Sequence, residues 1–236
     1  DYPKAFLNTV VIEVVSALIE VVSCSIAAYG LARFEFKEKK VLMFILIITI
    51  LVPSSMIMVP QMTSIRFMDI FGILGLVNKL TGVDLRPNLL NTPLAFYIPS
   101  ILGVGLKAGL FIYMYVQFFK GLPKELEEAA SIDGAGPVKT FLTIVVPSSG
   151  VIFLTVTIFS VIWHWNDTYI ATMFLSKNYP LSVALSNFGG AGDLFNPANV
   201  GILMAACLLV ILPPLIMYCI LQKQFIKSID RVGIVG

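Results

Sequence analysis

Apolar runs too long for the core of a small soluble domain recur along this chain, and they dictate what it can fold into. Residues 5–32, 41–62, 93–119, 150–175 and 200–222 are each rich enough in Leu, Ile, Val, Phe and Ala to cross a bilayer as a helix, which takes about 20 residues for the hydrocarbon core. In lipid every backbone polar group must be bonded within the protein, and for runs of this length the helix is the element that does so. The chain is therefore read as all-α and polytopic, one transmembrane domain over residues 1–236. Composition agrees: 58% of residues are hydrophobic, 13% are charged and the mean hydropathy is +0.91, where a soluble domain is about 25% charged. Cys24, Cys207 and Cys219 lie inside apolar stretches, with no CxxC spacing or histidine companion. They read as small packing residues.

Between the third and fourth runs the pattern breaks. Leu122 to Pro147, LPKELEEAASIDGAGPVKTFLTIVVP, is the long run in which charge, glycine and proline interrupt the apolar sequence. Pro123 suits the first position of a helix, where its missing N–H costs nothing. Glu125, Glu127 and Glu128 fall in the first turns, where negative charge meets the positive end of the helix dipole. Gly134 can take the left-handed conformation that ends this helix, and Pro137 can open a second one that stops near Pro147. Two short helices with a sharp bend between them form a protruding elbow over residues 120–148.

The same residues carry a resemblance. Glu128-Ala129-Ala130, three residues, Gly134, nine residues, then Ile144-Val145-Val146-Pro147 is similar to the EAA loop of ABC-importer permeases, with Val146 in place of a leucine. Asp133 and the surrounding AAxIDGAGP resemble the carbohydrate-uptake, maltose-type branch. The resemblance covers nearly the whole chain and implies a type I importer permease helix bundle. It implies that the elbow docks on a cytoplasmic ATPase subunit, with Glu128, Ala129, Ala130, Asp133, Gly134 and Pro147 as the coupling residues. Ala129, Ala130, Gly134 and Ala135 would offer a small-residue face to that partner. The implied assembly pairs this chain with a homologous second permease, two ATPase subunits and an extracellular or periplasmic sugar-binding protein, in a bacterial cell (inner) membrane. Members usually have six spans with both ends inside, so a further span is expected before Asp1. In the tail, 223–236, Gln222, Gln224, Phe225 and Gly236 fit the family's ending while Ser228 and Val235 depart from it. Contact of that tail with the ATPase subunits and a plain basic tail both remain open.

Charge placement orients the chain independently. Of the 16 lysines and arginines, ten fall on the elbow's side of the membrane: Arg33, Lys37, Lys39, Lys40, Lys120, Lys124, Lys139, Lys223, Lys227 and Arg231. Lys4, Arg66, Lys79, Arg86 and Lys177 fall on the other, and Lys107 lies within a run. Positive charge accumulates on the cytoplasmic side, so the elbow and the C-terminus are expected there. No GxxxxGK[ST] loop and no HExxH motif occurs, and His164 is the one histidine. The chain is expected to be a transport subunit rather than an enzyme, with no cofactor of its own; ATP and Mg belong to the partner subunits, and lipid rather than nucleic acid surrounds it.

Polar residues inside the runs are the remaining candidates. Glu13 and Glu20 share one helix face, and Lys107 sits among Gly103, Gly105 and Gly109. Intramembrane charges pair or face a cavity, so Lys107 is expected either beside one of these acids or at a helix break that admits water. In WHWND, Trp163 is expected to share a face with Asn166 and Asp167 as a polar, aromatic wall of a solute path; an interfacial aromatic belt is the competing reading. Trp165 is assigned to packing and His164 to a hydrogen-bonded packing role. The function so read is the membrane-spanning subunit of an ATP-driven carbohydrate importer. The alternatives are an importer permease for another solute, or an ion-coupled transporter relaying through Glu13, Glu20 and Lys107, which leaves the EAA spacing unexplained.

Overall fold

The computed structural model describes residues 2–69, 72–187 and 197–233, the side chains of 54–55, 197–199 and 223–233 excepted. Among them all regular structure is helical. Two helices are long and apolar enough to cross a membrane unaided: α1, Tyr2–Arg33, and the Val200–Gln222 part of the last helix. At 1.5 Å per residue α1 is about 48 Å long, which exceeds the hydrocarbon core.

The elements between them are broken. α2, Lys39–Leu51, and α3, Ser54–Arg66, meet at a bend of 108°. Prolines at 53 and 60 are both candidates for a kink, and the chain turns at the first. Val52 is extended (ψ 121), as the residue before a proline prefers, while Pro60 sits inside α3. α4, Ile73–Thr81, interrupts the loop that follows, and the Asp69 carboxylate accepts the Leu74 and Gly75 N–H groups at 3.3 and 2.6 Å. On this loop Arg86 donates to Asp84 and holds its carboxyl at about 2.

The expected span 93–119 is two helices, α5 (Leu94–Ile101) and α6 (Ala108–Gly121), separated by residues 102–107. The elbow is α7, Glu125–Ile132, and α8, Pro137–Ser148, and an 82° bend leads into α9, Gly150–Trp165. The expected span 150–175 likewise ends early: α9 stops at Trp165 and a separate short helix, α10, covers Tyr169–Phe174. α11 is Leu181–Ser186, and α12, Pro197–Gly233, runs on past the apolar stretch. The glycine-rich segment 188–192 and the tail positions Gln224, Phe225, Ser228, Val235 and Gly236 lie outside the described residues or side chains.

α1 is the hub, packed on α6, α9 and α5. Its buried seam runs Ala17, Val21, Cys24, Ala28, Ala32, every third or fourth residue and all small. Against it stand Phe111, Tyr115 and Phe119 of α6, each fully buried. Lipid tails supply no hydrophobic drive between helices, so close van der Waals contact must hold them, and small residues let large ones in. Cys24 belongs to this seam. Near its start α1 carries a π turn, Thr9–Val14. There the Thr9 hydroxyl donates to Ala5 O at 2.9 Å and accepts the Leu181 N–H at 2.8 Å, which ties α11 to α1.

Candidate functional site

The elbow forms much as its residue types dictate. Gly134 has φ +77, a conformation open to glycine but not to most side chains. The Gly134 N–H bonds Ser131 O at 3.1 Å and the Ala135 N–H bonds Ala130 O at 2.9 Å, which closes α7. Extended Gly136 then leads to Pro137 at the first position of α8. Pro123 departs from expectation. It precedes the cap residue Lys124 rather than opening α7, because Leu122 before it is extended (ψ 140) and the chain needs one more residue to turn.

Glu128, Ala129, Asp133, Gly134 and Pro147 are exposed on the elbow, whereas Ala130 is turned into the bundle at 8% exposure. The small-residue face expected on the outside is thus split, since residues one apart on a helix lie about 100° apart. What the outside presents instead is apolar: Ile132 is 87% and Val138 73% exposed, with Leu126 and Leu142 beside them. Glu127 also turns inward, to Arg33 at the end of α1. Ile132 and Val138 were legible as apolar residues in a polar run, but the Arg33 contact had no signal in linear spacing.

The second polar cluster lies in the bundle. Glu13 and Glu20 are fully buried on α1. Glu20 Oε2 lies 3.6 Å from His164 Nε2 and accepts from the Ser160 hydroxyl at 3.4 Å. His164 Nδ1 is 2.9 Å from the Ser160 carbonyl; that oxygen only accepts, so Nδ1 carries the proton and Nε2 faces the acid. Neither oxygen of Glu13 has a hydrogen-bond partner. It borders a cavity of about 20 Å³, room for one water, together with Gln61, Ser100, Gly105, His164 and Asp167. Among the described residues no three His, Cys, Asp or Glu side chains converge as a metal would need.

Of the two arrangements expected for Lys107, the structure shows the helix break and not the acid: Lys107 pairs with neither Glu13 nor Glu20, and no ion pair to it occurs among the described residues. It caps α6 from the left-handed region (φ 65) at the helix break and is exposed on a cavity of about 570 Å³. A charge that faces a cavity at a helix break does not require an acid beside it. Trp163, Asn166 and Asp167 do not share a face, because α9 ends at Trp165 and helical spacing stops there. Trp163 stacks on Phe159 at 5.5 Å and lines the large cavity with Lys107, Thr49 and Gln61. Asn166 is exposed and donates to Ile162 O at 2.8 Å, capping α9. Asp167 is buried on the small cavity and accepts the Ile170 and Ala171 N–H groups at 3.3 and 3.0 Å, capping α10. Trp165 packs against α12 and its indole N–H donates to Val210 O at 3.0 Å.

A bundle of broken apolar helices around a buried polar cluster, with an amphipathic elbow projecting from it, is the architecture of a membrane-embedded transport subunit. The chain belongs to the family of binding-protein-dependent transport system inner membrane components, whose model matches residues 21–231. It is 35% identical over 236 residues to the melibiose/raffinose/stachyose import permease protein MelC of Bacillus subtilis, spanning 99% of this chain and 76% of that one. It is 28% identical to the osmoprotective compounds uptake permease protein GgtD of Synechocystis, over 96% of this chain and 68% of that one. The fold matches a chain of a bacterial ABC transporter involved in the import of the acidic polysaccharide alginate, with a TM-score of 0.71 at 22% identity over 95% of this chain and 75% of that one.

Proposed function

We propose that this chain is the membrane-spanning subunit of an ATP-driven importer and forms part of the path of a carbohydrate delivered by an external binding protein. The observation that carries the reading is the elbow. A short acidic helix and a second helix meet at Gly134 and expose Ile132 and Val138, apolar surface that an isolated loop in water would not keep and a docked protein would cover. In this reading the elbow lies in the cytoplasm with the C-terminus, and Glu128, Ala129, Asp133, Gly134 and Pro147 meet an ATPase subunit. Two such subunits bind ATP and Mg, and a homologous permease completes the membrane part. Closure of the ATPase pair then pushes the elbow and tilts the helices around the solute path. Trp163, with its aromatic face on the large cavity, is the residue assigned to contact with sugar C–H surface, and Asp167 is assigned to holding the break beside it.

A carbohydrate is favoured because relatives such as MelC are permeases for oligosaccharides by name. The test is uptake into proteoliposomes holding the complex purified through a tag on this chain, with ATP inside and labelled α-galactosides, other oligosaccharides and osmoprotectants outside. ATP-dependent accumulation of an oligosaccharide is expected. Accumulation of osmoprotectants alone would move the substrate class, and accumulation driven by an ion gradient without ATP would overturn the reading.

A further inference from the structure

Among the described residues the elbow is joined to the bundle at one polar joint. Tyr29 and Arg33 lie one turn apart at the end of α1, and both reach the elbow. Arg33 Nε forms an ion pair with Glu127 Oε1 at 2.6 Å, with the two side chains only 7% and 17% exposed. Arg33 Nη2 donates to the Leu122 carbonyl at 3.0 Å, and the Tyr29 hydroxyl donates to Glu127 Oε2 at 3.2 Å. The Tyr29 ring packs on Phe141 of α8 at 4.9 Å and on Phe119 of α6 at 6.3 Å. The last turn of α1 therefore holds the chain's entry into the elbow, its first helix and its second helix at once.

This matters mechanically because α7 has little else to hold it. Ala130 is its single buried residue. On one side it is bounded by the extended Leu122 and on the other by the left-handed Gly134. A short helix held mainly at its two ends rotates about the line between them when pushed at its outer face. A third fixed point stops that rotation, and Glu127 is that point. It is joined to α1, the helix that bears Glu13 and Glu20 and packs on α6 and α9.

We propose that Arg33, Glu127 and Tyr29 are positioning residues that deliver motion of the elbow to α1, and so set how much transport accompanies each ATP hydrolysed. The inference rests on the reading of the chain as an ATP-coupled permease subunit. It assigns Glu127 a role distinct from that of its exposed neighbour Glu128, which faces outward. A joint that merely stabilised the fold would, when weakened, reduce the amount of assembled complex. A joint that transmits force would, when weakened, leave the complex assembled and let hydrolysis proceed without uptake.

The experiment uses the purified complex in proteoliposomes, with Glu127→Gln, Arg33→Gln, Tyr29→Phe and the exchange pair Arg33→Glu/Glu127→Arg. Subunit stoichiometry, solute-stimulated ATPase rate and uptake per ATP are read on each. Glu127→Gln and Arg33→Gln are expected to keep normal stoichiometry and hydrolysis within about twofold, while uptake per ATP falls about fivefold, the scale of coupling changes from single positions. Tyr29→Phe keeps the ring packing and is expected to fall by less. The exchange pair restores the charge partnership and is expected to recover at least half of the loss. Unchanged uptake per ATP in both glutamine variants overturns the proposal, as does a fall in uptake that only tracks lost complex. A wild-type complex that shows no ATP-driven uptake overturns the functional reading and this inference with it, whereas normal wild-type coupling with unaffected variants overturns the inference alone.

Discussion

Replacing Gly134 isolates backbone strain from every other effect of mutation. A Cβ built there would meet nothing within 4 Å, yet φ is +77. An alanine would fit in space and still cost roughly 1–2 kcal/mol for a left-handed L-residue. Two hydrogen bonds close the bend, from the Gly134 N–H to Ser131 O and from the Ala135 N–H to Ala130 O, and each is worth about 1 kcal/mol net. Strain and restraint are thus of similar size, so Gly134→Ala should bring bent and straightened elbows near parity. Gly134→Val, branched at Cβ, should favour the straightened form. Gly134→Asn should behave almost as the parent, since asparagine tolerates this region. Solute-stimulated ATP hydrolysis and uptake, measured together in proteoliposomes, should give coupling in the order Gly, Asn, Ala, Val. Equal coupling in all four, or an asparagine variant as poor as the valine one, would refute the argument from φ.

Other perturbations follow the same geometry. Lys107 also sits at positive φ (65), so Lys107→Gly should raise the thermal midpoint of the purified complex by relieving about 1 kcal/mol, and Lys107→Val should lower it; scanning fluorimetry reads both. Trp165→Phe keeps the edge contact with Phe6 but loses the indole N–H to Val210 O. It should cost about 1 kcal/mol of stability and leave uptake per ATP unchanged, as a combined melting and transport assay would show. Arg86 holds the Asp84 carboxyl at about 2. A depressed folded value means that the contribution of the pair is present above the ordinary carboxylate value of about 3.9 and is lost as pH falls through about 2. Because Asp84 is exposed, where an ion pair contributes little, Asp84→Asn should lower stability at neutral pH only slightly, while carboxyl NMR of the parent should place the midpoint near 2.

The all-helical membrane fold was legible because it depends on composition over long windows, which tolerates local error. The elbow was legible because its bend rests on one residue type at one position, Gly134, and on Pro137 opening the helix after it. Helix continuity was not legible. Apolar windows over 93–119 and 150–175 record that a segment is lipid-compatible but not that it turns at 102–107 or stops at Trp165. The first break is made by left-handed backbone at Gly103 (φ 68) and Lys107 (φ 65), and lysine carries no propensity for that conformation; the second is capped by Asn166 and Asp167. Partner choice was hidden for another reason. Charge alone offers Glu13 or Glu20 as a partner for Lys107, with a helix break as the alternative, whereas the structure sets Glu20 against His164 and Ser160 from a helix distant in sequence. In the sequence Arg33 reads as a loop charge and Glu127 as a helix-dipole charge. Nothing local tells that each is the other's counterion.

The breaks and the buried polar residues explain each other. A helix interrupted inside a membrane frees N–H and carbonyl groups that lipid cannot satisfy, each at a cost of several kcal/mol. At the break between α5 and α6, the Ser23 hydroxyl donates to Ser100 O at 2.5 Å and Cys24 Sγ lies 3.8 Å from Ala108 O. At the break between α9 and α10, Asp167 takes two freed N–H groups, Asn166 donates to the Ile162 carbonyl, and the Ser182 hydroxyl reaches Asp167 O at 2.5 Å. Gly105 lets the first break close onto Glu20, since a Cβ there would lie 2.6 Å from Oε1. The two breaks thus face one another across Glu20, His164 and the small cavity that borders Glu13. Ser23, Asn166, Asp167 and Ser182 are committed to bent backbone, which leaves Glu13, buried and without a partner, and Glu20, set against Ser160 and His164, as the acids whose presence the breaks do not explain. Trp163, on the adjoining larger cavity, is free of that duty, and for that reason the solute is proposed to lie on its side of the bundle.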